Sequence, residues 1–239
     1  MKEMVRLADL IVSAEYRYAY LDRQFSDYKI TDVVHDFCIS VKEEDIILER
    51  NRANELNCSD AFLESLAFYR KFATSAAVYE CVLFHSSALS VDGDAYLFAA
   101  PSGTGKSTHA RLYREFFGSR VTMINDDKPL IRKVNGAFRV YGTPWNGKHG
   151  LSNNLSAPIK GICFLKQGEV NAIRRLNVQE ALMASFNQVY RPDDVESLRS
   201  VLSLVQTMIM QIPVYELTCT ISHDAVCLSY ETMKGEKLL

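Results

Sequence analysis

The sequence feature that most constrains this chain is the segment APSGTGKST at residues 100–108. It matches the phosphate-binding pattern G-x-x-x-x-G-K-[ST] except at its first position, where Ala100 replaces glycine. An apolar run at residues 95–99 predicts a buried strand before it, and residues 107–117 predict a helix after it. A strand, a glycine-rich loop and a helix in this order are the context in which such a loop binds phosphate.

The residue types of this loop suit a nucleoside triphosphate. Successive backbone N–H groups form a concave anion site, and the following helix adds its positive N-terminal end. Lys106 supplies a charge for the β- and γ-phosphates, and the Ser107 hydroxyl can ligate magnesium. The alternative is a glycine-rich turn with a surface lysine. We expect ATP and Mg²⁺ as cofactors and these residues at the phosphates: Ser102, Gly103, Thr104, Gly105, Lys106, Ser107 and Thr108.

Two adjacent aspartates, Asp126 and Asp127, follow the predicted strand Val121–Asn125. If this strand runs parallel to residues 95–99, the aspartates and the phosphate loop share one edge of the sheet, where ligands bind in open α/β sheets. One carboxylate can then hold magnesium while the other accepts a proton from an attacking hydroxyl. The alternative is a turn-forming cluster before Pro129.

Two further candidates are a histidine and a loop. His85 follows an apolar, strand-like run, so it is either an active-site residue or a core histidine. Residues 142–150 contain three glycines together with Trp145, Lys148 and His149. This composition suits a loop that closes over phosphates or an acceptor, and the alternative is a surface loop with Trp145 tucked under it.

The remaining pattern predicts a mixed α/β chain. Asn135-Gly136 between Leu130–Val134 and Ala137–Tyr141 predicts one hairpin, and residues 161–165 and 171–175 predict a second. Hairpins beside a strand–loop–helix unit imply a mixed sheet. We expect a small N-terminal α+β region at residues 1–80 and a nucleotide-binding domain at residues 81–239.

Composition narrows the class of protein. The 239 residues are 48% hydrophobic and 23% charged, as in a globular protein with a sizeable core. The net charge of -2 provides no basic field for nucleic acid or an anionic membrane, so neither is an expected partner. Six cysteines without C-x-x-C spacing, and the lack of a signal-peptide pattern, predict a cytoplasmic protein with free thiols.

His85, the phosphate loop and the pair Asp126-Asp127 occur in an order that resembles the catalytic domain of HPr kinase/phosphorylase. That nucleotide-binding fold also occurs in ATP-dependent phosphoenolpyruvate carboxykinase. The segments FHSSA, NDDKP and GTPWNGK, at residues 84–88, 125–129 and 142–148, are similar to bacterial HPr kinase-like proteins. The resemblance covers about residues 82–233.

The resemblance implies an ATP-dependent kinase on this fold that transfers the γ-phosphate to a hydroxyl, seryl on a protein or peptide. It implies a base at Asp126, a metal-linked carboxylate at Asp127 and an active-site role for His85. Apart from the resemblance, Lys148 of the loop 142–150 is a candidate to neutralise the charge that develops during transfer. Expected partners are ATP and a protein, peptide or small-molecule acceptor, with a homo-oligomer left open. The alternatives are a nucleotide-binding regulator without phosphotransfer and another phosphate-transfer enzyme on the carboxykinase fold.

Overall fold

The structure, a computed structural model, describes residues 1–52, 58–101, 103–147 and 149–238. Its N-terminal part contains four strands and three helices. In chain order these elements are β1 (Lys2–Leu7), β2 (Leu10–Glu15), α1 (Ala19–Gln24), β3 (Lys29–Ile30), β4 (Phe37–Ser40), α2 (Glu43–Arg52) and α3 (Asp60–Ala76). The strands form one sheet in the order β3-β1-β2-β4. The apolar residues at 5–12 predict a single strand, but a turn at Ala8 and Asp9, both with positive φ, divides this segment into β1 and β2.

Apolar residues at three- and four-residue spacing predict a helix over residues 60–77, and the structure confirms it as α3. The Ser59 side chain accepts a hydrogen bond from the Phe62 N–H and so caps the first turn. Further along α3, the fully buried Glu64 accepts the backbone N–H groups of Arg17 and Tyr18 at 2.6 and 2.9 Å. This carboxylate fixes the segment before α1 against α3, because each of its oxygens satisfies one backbone donor.

The second half of the chain forms a larger mixed sheet of nine strands. Its elements are β5 (Cys81–Leu83), β6 (Ser87–Val91), β7 (Asp94–Ala99), α4 (Lys106–Phe117), β8 (Val121–Asn125), β9 (Leu130–Val134), β10 (Ala137–Tyr141), β11 (Ser156–Gln167), β12 (Ala172–Arg175), α5 (Val178–Phe186), α6 (Val195–Gln211), β13 (Val214–Cys219) and α7 (His223–Lys234). None of the helices described combines the length and apolar composition needed to cross a bilayer.

The order of these strands fixes the position of the candidate site. β6 lies between β7 and β8 and is antiparallel to both, so β7 and β8 point in the same direction. The expectation that their carboxyl ends share one edge is therefore confirmed. The first predicted hairpin, β9 with β10, is also confirmed. The second is wrong: β12 pairs with β13, and β13 lies alongside β11 in parallel.

Side chains of β7 alternate between the two faces of the large sheet, and helices pack on both faces. Ala95, Leu97 and Ala99 belong to the core that includes α6, whereas Tyr96 and Phe98 belong to the core that includes α4 and α7. Side chains of a strand point to opposite faces in turn, so β7 is buried on both sides. A third core joins the N-terminal part to the large sheet and includes Phe68 of α3 as well as Leu130 and Trp145.

We predict that Glu64→Gln lowers the free energy of unfolding by about 1–2 kcal/mol. The neutral amide retains one acceptor oxygen but places an NH₂ group against the second backbone donor. Urea unfolding followed by circular dichroism measures the change. Glu44→Gln is the control, because the Glu44 side chain is 74% exposed and should tolerate the change. Equal stability of the two variants would contradict the anchoring role of Glu64.

Candidate active site

The loop between β7 and α4 has the backbone shape that phosphate loops require. Gly103 and Gly105 adopt φ angles of 79° and 112°, which L side chains rarely adopt. Gly105 is the N-cap of α4, so the first N–H groups of the helix face the loop without intrahelical partners. Ser102, expected at the phosphates, lies outside the described residues.

Lys106 folds back onto this loop. Its Nζ donates a hydrogen bond of 2.9 Å to the Ala100 carbonyl, and the residue is only 9% exposed. Burial lowers the pKa of the ammonium group below its ordinary value, although the charges of Asp127 and Asp126 act to raise the pKa. Because both aspartate charges act on the lysine, the ammonium group and the two carboxylates lie close enough to interact electrostatically.

Asn125, at the end of β8, organises the turn that carries the two aspartates. Its Oδ1 accepts the backbone N–H groups of Asp127 and Lys128 at 2.8 and 2.7 Å. Its Nδ2 donates to the carbonyls of Thr143 and Trp145, each at 3.2 Å. Sequence reasoning missed this role, although an asparagine immediately before a turn is a known signal for side-chain-to-backbone bonding.

The two aspartates have different surroundings. Asp126 is 4% exposed, and its Oδ1 accepts a hydrogen bond of 2.6 Å from the Ser87 hydroxyl of β6. Its Oδ2 is buried and has no hydrogen-bond partner among the described residues. A buried carboxylate oxygen without a donor is costly, so this oxygen is available to a hydrogen-bond donor. Ser87 lies in the segment FHSSA at residues 84–88, but its contact with Asp126 was not predicted.

Asp127 is held by two basic side chains. Its Oδ1 lies 3.2 Å from His85 Nε2, and its Oδ2 is paired with the Lys128 ammonium group. Burial alone would raise the pKa of this carboxyl, but the His85 hydrogen bond and the Lys128 charge lower its pKa to about 2. Asp127 is therefore ionised at neutral pH.

A cleft of about 650 Å³ joins these groups. The sequence-predicted residues that line it are His85, Gly103, Gly105, Lys106, Ser107, Thr108, Asp126 and Asp127, together with Trp145 and His149 of the loop 142–150. Thr104 lies instead on a neighbouring cavity of about 490 Å³, which extends from the phosphate loop along α4 to the ends of β11 and β13. Lys148 lies outside the described residues.

One side of the cleft comes from the N-terminal part of the chain, where sequence reasoning found no motif. Two residues of α1 and four of α3 contribute: Tyr20, Gln24, Phe62, Ser65, Leu66 and Tyr69. Trp145 connects this side to the loop after β10, because its buried indole donates a hydrogen bond of 3.2 Å to the Ser65 hydroxyl. The indole is thus buried, and Trp145 also lines the cleft together with Asn146, Gly147 and His149 of the same loop.

Comparison with known proteins gives a family. The sequence model of a family described as "SynChlorMet cassette protein ScmC" matches residues 61–225. The chain belongs to this family. The matched region of this ScmC-family chain begins within α3 and ends within α7, so it contains the phosphate loop and both aspartates, whereas α1 precedes it. No curated protein matches the chain.

A solved structure of the Hpr(Ser) kinase/phosphatase from Coxiella burnetii is similar to this ScmC-family chain at 12% identity. The similarity covers 64% of this chain and 93% of that chain, with a TM-score of 0.35. Within the described residues, no group of three or more His, Cys, Asp or Glu side chains is placed to hold a metal.

We predict that His85→Gln raises the pKa of Asp127 from about 2 toward its ordinary value of 3.8. The ionised carboxylate stabilises the fold above that ordinary value, and the contribution is lost as pH falls through about 2. Carboxyl carbon NMR between acid and neutral pH measures the titration. His35→Gln is the control, because His35 contacts Cys38 at the surface. An unchanged Asp127 titration in His85→Gln would show that the histidine does not act on the carboxylate.

Proposed function

We propose that this chain is an ATP-dependent kinase that transfers the γ-phosphate of ATP to a hydroxyl, seryl on a protein or peptide. The observation that supports this most is the presence, in one cleft, of a phosphate-type loop and two carboxylates with different surroundings. A protein that only binds nucleotide has no need of a second carboxylate, whereas phosphoryl transfer uses one for magnesium and one for the acceptor proton.

ATP would bind with its phosphates on the N-terminal end of α4. The Lys106 ammonium group would exchange the Ala100 carbonyl for a phosphate oxygen, a stronger, charge-assisted acceptor. The neighbouring cavity of about 490 Å³ begins at the same loop and offers Leu112, Leu165 and Ile221 as apolar surface for the nucleoside. The triphosphate and the nucleoside thus have adjoining sites.

Asp127 would be the magnesium ligand, and Asp126 would be the base that accepts the proton. A carboxyl with a pKa of about 2 stays ionised and holds a proton poorly, so Asp127 is a better magnesium ligand than a base. Ser107 would be the second protein ligand, since magnesium is held by few protein groups together with phosphate oxygens. Bound there, the ion would neutralise phosphate charge.

Asp126 would act as the base through its unpartnered Oδ2, while Ser87 holds Oδ1. The acceptor hydroxyl would lose its proton to this oxygen and form a bond to the γ-phosphorus, and the bond from that phosphorus to ADP would break. His85 would position Asp127. Lys148 is proposed from the sequence alone as a further positive charge.

The two parts of the chain would divide these tasks. We propose residues 81–239 as the unit that binds nucleotide, since the loop, both aspartates and the nucleoside cavity belong to it. Residues 1–80 would complete the cleft through α1 and α3.

We predict that Lys106→Ala lowers the affinity for ATP·Mg at least about tenfold, because it removes a charge-assisted phosphate contact of about 2 kcal/mol. Isothermal titration calorimetry measures the affinity. Lys166→Ala is the control, since Lys166 is exposed and paired with Glu216. The proposed phosphate site would be wrong if the two variants bound ATP·Mg equally well.

We predict that Asp126→Asn lowers phosphoryl transfer by about a hundredfold or more, the usual contribution of a general base. Its affinity for ATP·Mg should stay near the wild-type value, whereas Asp127→Asn should weaken metal-dependent binding. Turnover of ATP, with and without hydroxyl acceptors, and calorimetry give the two readouts. If both variants turn over at the wild-type rate and bind normally, the aspartates form only a turn.

A further inference from the structure

The α1–α3 wall, defined by Tyr20, Gln24, Phe62, Ser65, Leu66 and Tyr69, differs in chemistry from the rest of the cleft. These six side chains are all uncharged, and three carry aromatic rings. The charged groups described in the same cleft, Lys106, Asp126, Asp127 and Lys128, come from the phosphate loop and the turn after β8. The cleft therefore has an ionic part and an uncharged part that is rich in aromatic rings.

Phe62 is the clearest sign that the wall is a binding surface. It is a large apolar side chain that is 39% exposed. Its ring packs edge to face against the Tyr20 ring, with 6.4 Å between the two ring centroids. Both rings line the cleft. Exposed apolar side chains that cluster inside a polar cleft are typical of surfaces that bind a ligand.

The wall is also held in place before any ligand arrives. The Ser65 hydroxyl donates to Gln24 Oε1 at 2.6 Å and receives the indole N–H of Trp145. These bonds join α1, α3 and the loop after β10. A surface fixed in this way loses little conformational freedom on binding, which favours selectivity.

Of the two substrates, the acceptor fits this wall better than the nucleoside. Asp126, the proposed base, must touch the acceptor hydroxyl, and Asp126 lines the same cleft as Phe62 and Tyr20. The cavity proposed for the nucleoside is instead lined by Thr104 and Ile221, and neither of them lines the cleft with Phe62.

We infer that the α1–α3 wall selects the phosphate acceptor, and that the group beside its reacting hydroxyl is an uncharged aromatic or bulky aliphatic group. This inference rests on the proposed kinase function and adds the class of acceptor. An acidic or basic group at the same place would lose its hydration without gaining a charged partner from the wall.

Binding of small hydroxyl compounds tests the inference without requiring turnover. The probes are three dipeptide amides, acetyl-seryl-phenylalanine amide and its analogues with aspartate or lysine in place of phenylalanine. A fourth probe, 2-phenylethanol, carries an aromatic ring and a hydroxyl but no peptide. Each is titrated into the full chain saturated with magnesium and a non-hydrolysable ATP analogue. Fluorescence of Trp145, the chain's one tryptophan and a residue of the cleft, reports occupancy.

We predict that the phenylalanine compound binds more tightly than the two charged compounds. Phe62→Ala should weaken its binding about fivefold, the equivalent of about 1 kcal/mol for one aromatic contact. Phe62→Tyr should restore it. Phe116→Ala is the matched control, because Phe116 is 40% exposed and lies at the far end of α4. Comparable binding of 2-phenylethanol would indicate a small-molecule acceptor rather than a peptide.

Equal binding of the three amides, tighter binding of a charged one, or no detectable binding would overturn the inference. So would equal effects of Phe62→Ala and Phe116→Ala, or a loss of nucleotide affinity in Phe62→Ala, which would place the nucleoside on the wall. These outcomes are separate from the proposed function. A chain that binds ATP·Mg and depends on Asp126 for transfer, yet shows no aromatic preference, remains a kinase with a different acceptor.

Discussion

The arrangement of the cleft depends on the side-chain amide of Asn125. This fully buried group accepts the backbone N–H groups of Asp127 and Lys128 and donates to the carbonyls of Thr143 and Trp145. An apolar side chain of similar size would remove all four of these hydrogen bonds, at a cost of about 1–3 kcal/mol for each buried backbone group that is left without a partner. The end of β8, the aspartate turn and the loop that carries Trp145 therefore behave as one unit.

Features fixed by local chemistry could be predicted from the sequence. The strand–loop–helix unit, the Ser59 cap of α3 and the β9–β10 hairpin each depend on residue types within a few positions of one another. The shared edge of β7 and β8 could also be expected, since buried strands that precede a phosphate loop and an acidic turn have few compatible arrangements.

Features that join distant parts of the chain could not be predicted. β12 pairs with β13 and not with β11, because β13 lies parallel to β11 and takes the position beside it. β13 begins about 40 residues after β12 ends in the sequence. The contact of Ser87 with Asp126, and of Gln24 with Ser65, likewise spans 39 and 41 positions. A serine or a glutamine carries no local signal for such a partner, so the side of the cleft formed by α1 and α3 was not predicted.

The antiparallel strand β6 determines how far the loop after β7 lies from the aspartate turn after β8. Because it separates β7 from β8, the phosphate loop and the aspartate turn stand two strand spacings apart, about 9–10 Å. That gap is wide enough for a phosphoryl group, a cation and an incoming oxygen to lie in a row. Ser87, on the intervening strand, keeps its hydroxyl on Asp126 within this gap. In the proposed kinase, the intervening strand would thus set the separation between the phosphates and the base.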